Sequence, residues 1–184
     1  MEAQVLKQLL YSVAAALLIG FGSTGTASAT PILSGDGTET CTPNGGATGA
    51  CVGIGVDPAW QPNNPAGSGA EWISYADTGT PGAVVQRTMG TTPAMFVFET
   101  FFATEQSTLA LNVWADDTAR VLIDALEVFG PNFTQDICAV GPIGCEPGDV
   151  GMITRSFTTG RLHTLTFEVF QVGGGPFGLL YAGE

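Results

Sequence analysis

The feature that most constrains this chain is a period-two alternation that recurs along its C-terminal two thirds. Between 108 and 115, Leu109, Leu111 and Val113 fall on one side of an extended strand, with Ala110, Asn112 and Trp114 on the other. Between 163 and 170, Leu165, Phe167 and Val169 share a face opposite Thr164, Thr166 and Glu168. A helix cannot segregate residues this way, because its faces repeat every 3.6 positions. Strand-like runs are predicted at 72–76, 84–89, 95–103, 108–115, 120–129, 152–158, 162–171 and 177–181, separated by turn residues. The stretch 119–128 is the one place where Ala, Leu and Glu content supports a short helix instead. Short strands with turn-rich connections and no βαβ rhythm predict an all-β antiparallel sandwich, most simply a jelly roll.

The N-terminus has a different texture. Lys7, the only lysine, precedes the apolar run 13–21, a small polar stretch 22–26, and Ala27-Ser28-Ala29. These are the parts of a secretory signal peptide, with cleavage expected before Thr30. The apolar run is shorter than the ~20 residues of a spanning helix, and no second candidate span follows. The expected product is secreted and extracellular or held at the cell surface, without a transmembrane segment once the signal is removed. From 30 to 69 the chain is rich in Gly, Pro, Thr and Asn, with turn signals at Asn44-Gly45 and Pro62-Asn63-Asn64-Pro65. It reads as an irregular lead-in belonging to the domain, with one short strand near 51–56. The sandwich itself is expected from 70 to 184.

Charge narrows the partners. The full chain carries 17 acidic residues against five basic ones, a net charge of −12. Arg87, Arg120, Arg155 and Arg161 are scattered, whereas backbone recognition needs clustered cations, so nucleic acid is not an expected partner. The four cysteines form two local pairs, Cys41 with Cys51 and Cys138 with Cys145. Three connectivities are open to four cysteines. Neighbour pairing closes the shortest loops and suits an oxidising compartment, and neither pair has the CxxC spacing of a zinc site.

Enzyme signatures are absent: no HExxH, GxSxG or P-loop pattern occurs. His163, the only histidine, alternates with Leu165 and Phe167 and reads as a satisfied or edge-strand side chain rather than a general base. Paired carboxylates remain, since two acids on a sandwich can hydrolyse glycosides at the right separation. Asp116 and Asp117 are adjacent at a strand end, where neighbouring side chains diverge, which argues against an acid/base pair. They suit a turn cap, acceptance of backbone amide hydrogens, or calcium, the one cofactor considered. Asp36-Gly37-Thr38-Glu39 is a second acidic loop, without the twelve-residue spacing of an EF-hand. Glycoside hydrolysis would require Asp116 or Glu99 to face another carboxylate across a cleft.

The remaining lead is aromatic. Trp60, Trp72, Tyr75 and Trp114 offer flat faces of the kind that stack on sugar rings. Trp72 opens an alternating run and belongs in the core; Trp60, in the lead-in, is the best placed for exposure or for sealing a sheet edge. Asn132-Phe133-Thr134 matches a glycosylation acceptor pattern. The candidate ligand-binding set is therefore Trp60, Tyr75, Trp114, Asp116 and Asp117. It suggests a non-catalytic polysaccharide-binding protein, with a structural matrix or adhesion component bound to protein as the alternative and a glycoside hydrolase third.

The order Pro58-Ala59-Trp60, Glu71-Trp72-Ile73-Ser74-Tyr75, Phe98-Glu99-Thr100-Phe101, Val113-Trp114-Ala115-Asp116-Asp117, Leu162-His163-Thr164-Leu165-Thr166-Phe167 and Pro176-Phe177-Gly178-Leu179-Leu180 resembles bacterial exported proteins of the PEP-CTERM class. The likeness covers roughly 56–182. It implies a galactose-binding-like jelly roll at the surface or in an extracellular matrix made alongside exopolysaccharide. In that group a strand following the Trp-Ala-Asp-Asp pattern often ends in an Asn-Gly turn, where this chain has Asp124-Ala125. The group also carries a C-terminal Pro-Glu-Pro motif, apolar helix and basic end recognised by an exosortase. The sequence given stops at Ala182-Gly183-Glu184 without them, so either a sorting tail follows or this member is released.

Overall fold

The computed structural model describes residues 30–89, 91–103, 108–134, 142–157 and 160–184. The signal segment 1–29 and Cys138 lie outside the described residues. Twelve strands are present among these residues, arranged as two six-stranded antiparallel sheets. The first sheet runs β10 (Gly151–Ser156), β7 (Thr108–Asp116), β12 (Gly178–Gly183), β5 (Ile73–Ser74) and β4 (Val52–Gly53), with β1 (Ile32–Leu33) also paired to β12. The second runs β3 (Gly49–Ala50), β2 (Thr40–Pro43), β6 (Met95–Ala103), β11 (Arg161–Phe170), β8 (Thr118–Ile123) and β9 (Leu126–Phe129). This is the antiparallel sandwich that the alternation predicts. No helix among the described residues is long and apolar enough to cross a membrane.

The alternating rows become the interior. Leu109, Leu111 and Val113 of β7 face Leu165, Phe167 and Val169 of β11 in one buried cluster. The Phe167 ring stacks on Tyr181 of β12 with centroids 4.5 Å apart, joining the sheets. Every second residue of these strands leaves that core, and the two sheets treat those residues differently. Trp72, Trp114 and Leu180, which alternate with Ile73, Val113 and Leu179, pack with Ile54, Trp60, Ala70 and Cys145 in a second buried cluster. The lead-in thus lies over the outer face of the first sheet as a third layer. Gly178 permits that closeness: a Cβ there would sit 2.6 Å from Ile54 Cδ1.

The lead-in is less irregular than its composition suggests. It supplies β1 and β4 to the first sheet and β2 and β3 to the second. Cys41 and Cys51 are joined by a disulfide between β2 and the residue that separates β3 from β4. Cys145 is buried and disulfide-bonded.

The predicted strand at 84–89 reduces to a single bridge between Val85 and Gly175, because Val85 and Thr88 bond to the β11–β12 loop instead of a full partner strand. The run 120–129 is neither one strand nor a helix; it is the β8–β9 hairpin. Its turn is tight although Asn-Gly is absent, with Asp124 at φ 50° and Ala125 at φ 64°. Asp124 tolerates this conformation and anchors it, accepting the Thr164 amide at Oδ1 and the Arg161 guanidinium at Oδ2. Ala125 has no such compensation. Replacing it with glycine should stabilise the protein by about 1 kcal/mol, a rise of about 2–4 °C in melting temperature by calorimetry.

Candidate functional site

The sequence candidates divide between scaffold and surface, and most are scaffold. Trp60 is 3% exposed, with its ring 4.4 Å from that of Trp72 and its Nε1 donating to Asp116 Oδ2 at 2.9 Å. Trp72 is fully buried and donates from Nε1 to the Gln61 carbonyl. Trp114 is buried in the same cluster, with no hydrogen-bond partner for its Nε1. Tyr75 is half-buried against the inner core, 6.3 Å from Phe177, and burial raises its pKa. Trp60 therefore does not offer an open face: the third layer that it helps to build covers it.

Asp116 and Asp117 do not diverge. The peptide between them is cis, and the Asp116 carboxyl hydrogen-bonds to Asp117. Burial holds the Asp116 carboxyl well above the usual carboxylate range, and the hydrogen bond and charge of Asp117 push the same way. Protonated Asp116 donates to Asp117 while accepting from Trp60. Asp117 Oδ2 in turn accepts the amides of Val172 and Gly173, both at 2.7 Å. The acids link the lead-in, the β7–β8 turn and the β11–β12 loop. They are in hydrogen-bond contact, not at the ~5–9.5 Å of glycosidase carboxylates. Glu99 faces Tyr181 and Thr38 rather than an acid partner across a cleft.

The acidic loop at 36–39 is likewise engaged in its own turn. Asp36 accepts from the Thr38 amide, and Glu39 accepts the amides of Gly35 and Gly37. Among the described residues no group of three or more His, Cys, Asp or Glu is placed to hold a metal ion. His163, 1% exposed on the inner face of β11, has its Nδ1 2.7 Å from Asp124 Oδ2 and rings from Phe101 and Phe157 on it. It is the satisfied histidine of the sequence reading, on an internal strand.

What Asp117 positions is more informative than what it could ligate. The loops after β5, β9 and β11 meet at one end of the sandwich around an opening of about 190 Å³, lined by Arg87, Thr88, Thr91, Phe133 and Val172. Its walls are fixed from beneath. Asp117 holds the Val172 amide, Gln171 bonds the carbonyl of Pro176 and the amide of Gly174, and Thr88 donates to the Gln171 carbonyl through both its amide and its hydroxyl. Phe133 stands edge-on to Phe170 with centroids 4.9 Å apart. Among the described residues no carboxylate lines the opening, although the chain is strongly acidic. Sequence reasoning placed none of these five residues in a site. Their positions span 87–172 with no shared motif, and Phe133 stood out only within the glycosylation pattern.

No protein-family model matches the chain, and no curated protein matches it. Among solved structures it is similar to a family 35 carbohydrate binding module from Clostridium thermocellum, at 10% identity and a TM-score of 0.43, over 84% of this chain and 98% of the module. It is also similar to an exo-β-1,3-galactanase from Phanerochaete chrysosporium, at 10% identity and TM-score 0.40, over 86% of this chain and 29% of the enzyme. A β-glucosidase from Kluyveromyces marxianus shows 6% identity and TM-score 0.37, over 49% of this chain and 11% of that one.

Proposed function

We propose that this protein is a secreted, non-catalytic carbohydrate-binding sandwich of the cell surface or extracellular matrix, with its ligand seated in the loop-end opening. The observation that carries this reading is the lining: an aromatic ring, two threonines, a guanidinium and an apolar floor converge in one rigidly held recess. Sugars present an apolar C–H face and a rim of hydroxyls, and this mixture meets both. About 190 Å³ is below the ~300–1,000 Å³ of drug-sized sites, which suits one sugar ring at a chain end. The Cys41–Cys51 disulfide supports an oxidising compartment. Sorting through a PEP-CTERM tail belongs to the same proposal, resting on the motif order alone.

A glycan array followed by titration calorimetry tests the reading. Arg87→Ala and Phe133→Ala should each weaken the best ligand at least tenfold. Calcium should leave binding unchanged, because Asp117 is already committed to backbone amides. Arg87→Ala controls for folding, since Arg87 is exposed while Phe133 packs on Phe170. An array without hits, or affinities untouched by both variants, overturns it.

A further inference from the structure

The two outer faces of the sandwich are not alike, and the difference points to a second surface. The lead-in seals the first sheet, whereas aromatic side chains of the second point outward uncovered. Along β6, Phe96, Phe98 and Phe102 occupy the outward positions, opposite the buried Met95, Val97 and Glu99. Phe98 and Phe102 are 39% and 58% exposed, and Leu162, paired with Phe102 on β11, is 61% exposed. The Phe96 and Phe98 rings lie within 10° of parallel with centroids 6.4 Å apart. Threonines fill the positions between and beside them. Thr100 pairs with Thr164 across β6 and β11, and Phe98 is flanked by Thr40 and Thr166.

We propose that this face binds an extended, neutral polysaccharide chain. Large exposed apolar side chains gathered on one face mark an interaction surface, and two observations decide what occupies it. The first is charge. The charged residues at one end of the rows, Arg120, Glu127 and Glu168, are tied to one another by ion pairs of 3.0 and 2.6 Å, and the aromatic and threonine positions themselves carry no charge in a chain of net charge −12. A polycationic partner finds only one surplus carboxylate to pair with here, and a second copy brings its own −12.

The second observation is size. At ~3.3 Å per residue and ~4.8 Å per strand, the rows span about 20 Å along β6 and about 14 Å across four strands. That is roughly 300 Å², against the ~800 Å² per partner of a stable protein interface. A narrow polymer with apolar ring faces and hydroxyl edges fits this strip; a folded partner does not. The inference stands on the face alone and is independent of the loop-end opening.

Affinity electrophoresis separates the two surfaces. The full protein should be retarded in gels containing a neutral polysaccharide such as galactomannan or hydroxyethyl cellulose. The double variant Phe98→Ser/Phe102→Ser should lose at least tenfold in affinity, and Thr100→Lys, which keeps the rings, should weaken binding as well. Arg155→Ala, an exposed position on β10 of the first sheet, should be retarded in these gels as the wild type is. Thermal melting confirms that the variants fold. No retardation in neutral gels, or retardation equal in wild type and face variants, overturns the inference, whatever the array shows for the opening. Sedimentation that reveals a dimer abolished by Phe98→Ser/Phe102→Ser overturns it in favour of a second copy.

Discussion

Glu99→Gln will raise the melting temperature at pH 8 by about 4–8 °C and leave it unchanged at pH 4. Glu99 sits on the inner face of β6, 5% exposed, and accepts a hydrogen bond from the Tyr181 hydroxyl of the opposite sheet. Burial raises its pKa from 4.5 to about 7, and the charges of Asp36 and Glu39 add to this against the lowering effect of its hydrogen bonds to Tyr181 and Thr38. The hydrogen bonding agrees with a proton on the acid. Thr38 Oγ1 lies 2.7 Å from Asp36 Oδ1 and 3.1 Å from Glu99 Oε1, and one hydroxyl proton serves only one of them. A protonated Glu99 supplies the second.

Because the folded protein holds this proton more tightly than the unfolded chain, the contribution to stability is complete below pH 4.5 and is lost as pH rises through about 7. The full shift would amount to about 3 kcal/mol, and about 2 kcal/mol remains after allowing for partial solvent screening. Glutamine keeps the geometry with nothing to ionise, so the variant gains that amount at pH 8, at about 2–4 °C per kcal/mol. Calorimetric melts at pH 4, 6 and 8 read the effect directly. A variant no more stable than wild type at pH 8 would mean that Glu99 is an ionised, satisfied carboxylate. Asp116, also raised by burial, adds a slope of the same sign that persists in Glu99→Gln.

The parts of this fold that are legible in the sequence are those where periodicity has room to show. β7 and β11 have nine and ten residues, enough for alternation to assign every side chain to the core or away from it. The strands β1 to β5 have two to four residues, and runs that short carry no period. The Gly, Thr and Pro content around β1, β2 and β3 reads as loop because pairing partners, not local preference, make them strands, whereas β4 and β5 fall within the strands expected near 51–56 and at 72–76. The same gap hid the third layer: Trp114 alternates with core residues, and it is the lead-in over the outer face of its strand that buries it. Asp116 and Asp117 were legible as acceptors of backbone amides but not as a proton-sharing pair. The loop-end opening was the least legible feature, because three loops far apart in sequence converge there only through the sheet topology. The outward row of β6 was readable in principle, since Phe96, Phe98 and Phe102 give that strand two apolar faces.

Trp60→Ala tests whether the lead-in is a cooperative part of the fold, and it should be the most damaging substitution considered. The side chain packs on Trp72 in the buried cluster over the first sheet, and truncating a buried tryptophan costs about 3–5 kcal/mol through lost contacts and the cavity left behind. The melting temperature should fall by about 10 °C. The Asp116 carboxyl would also lose its indole donor inside a buried site, so the damage should reach the β7–β8 turn and, through Asp117, the loop that walls the candidate opening. Trp60→Phe separates these effects. It keeps a ring against Trp72 while removing the donor and part of the buried volume, so it should cost less than Trp60→Ala, about 1–2 kcal/mol. Thermal melts of both variants, with limited proteolysis of residues 54–70, give the readout. A melting temperature for Trp60→Ala within 1 °C of wild type would show that the third layer rests on the sheet without contributing to its stability. The opening would then owe its rigidity to Asp117 and Gln171 alone.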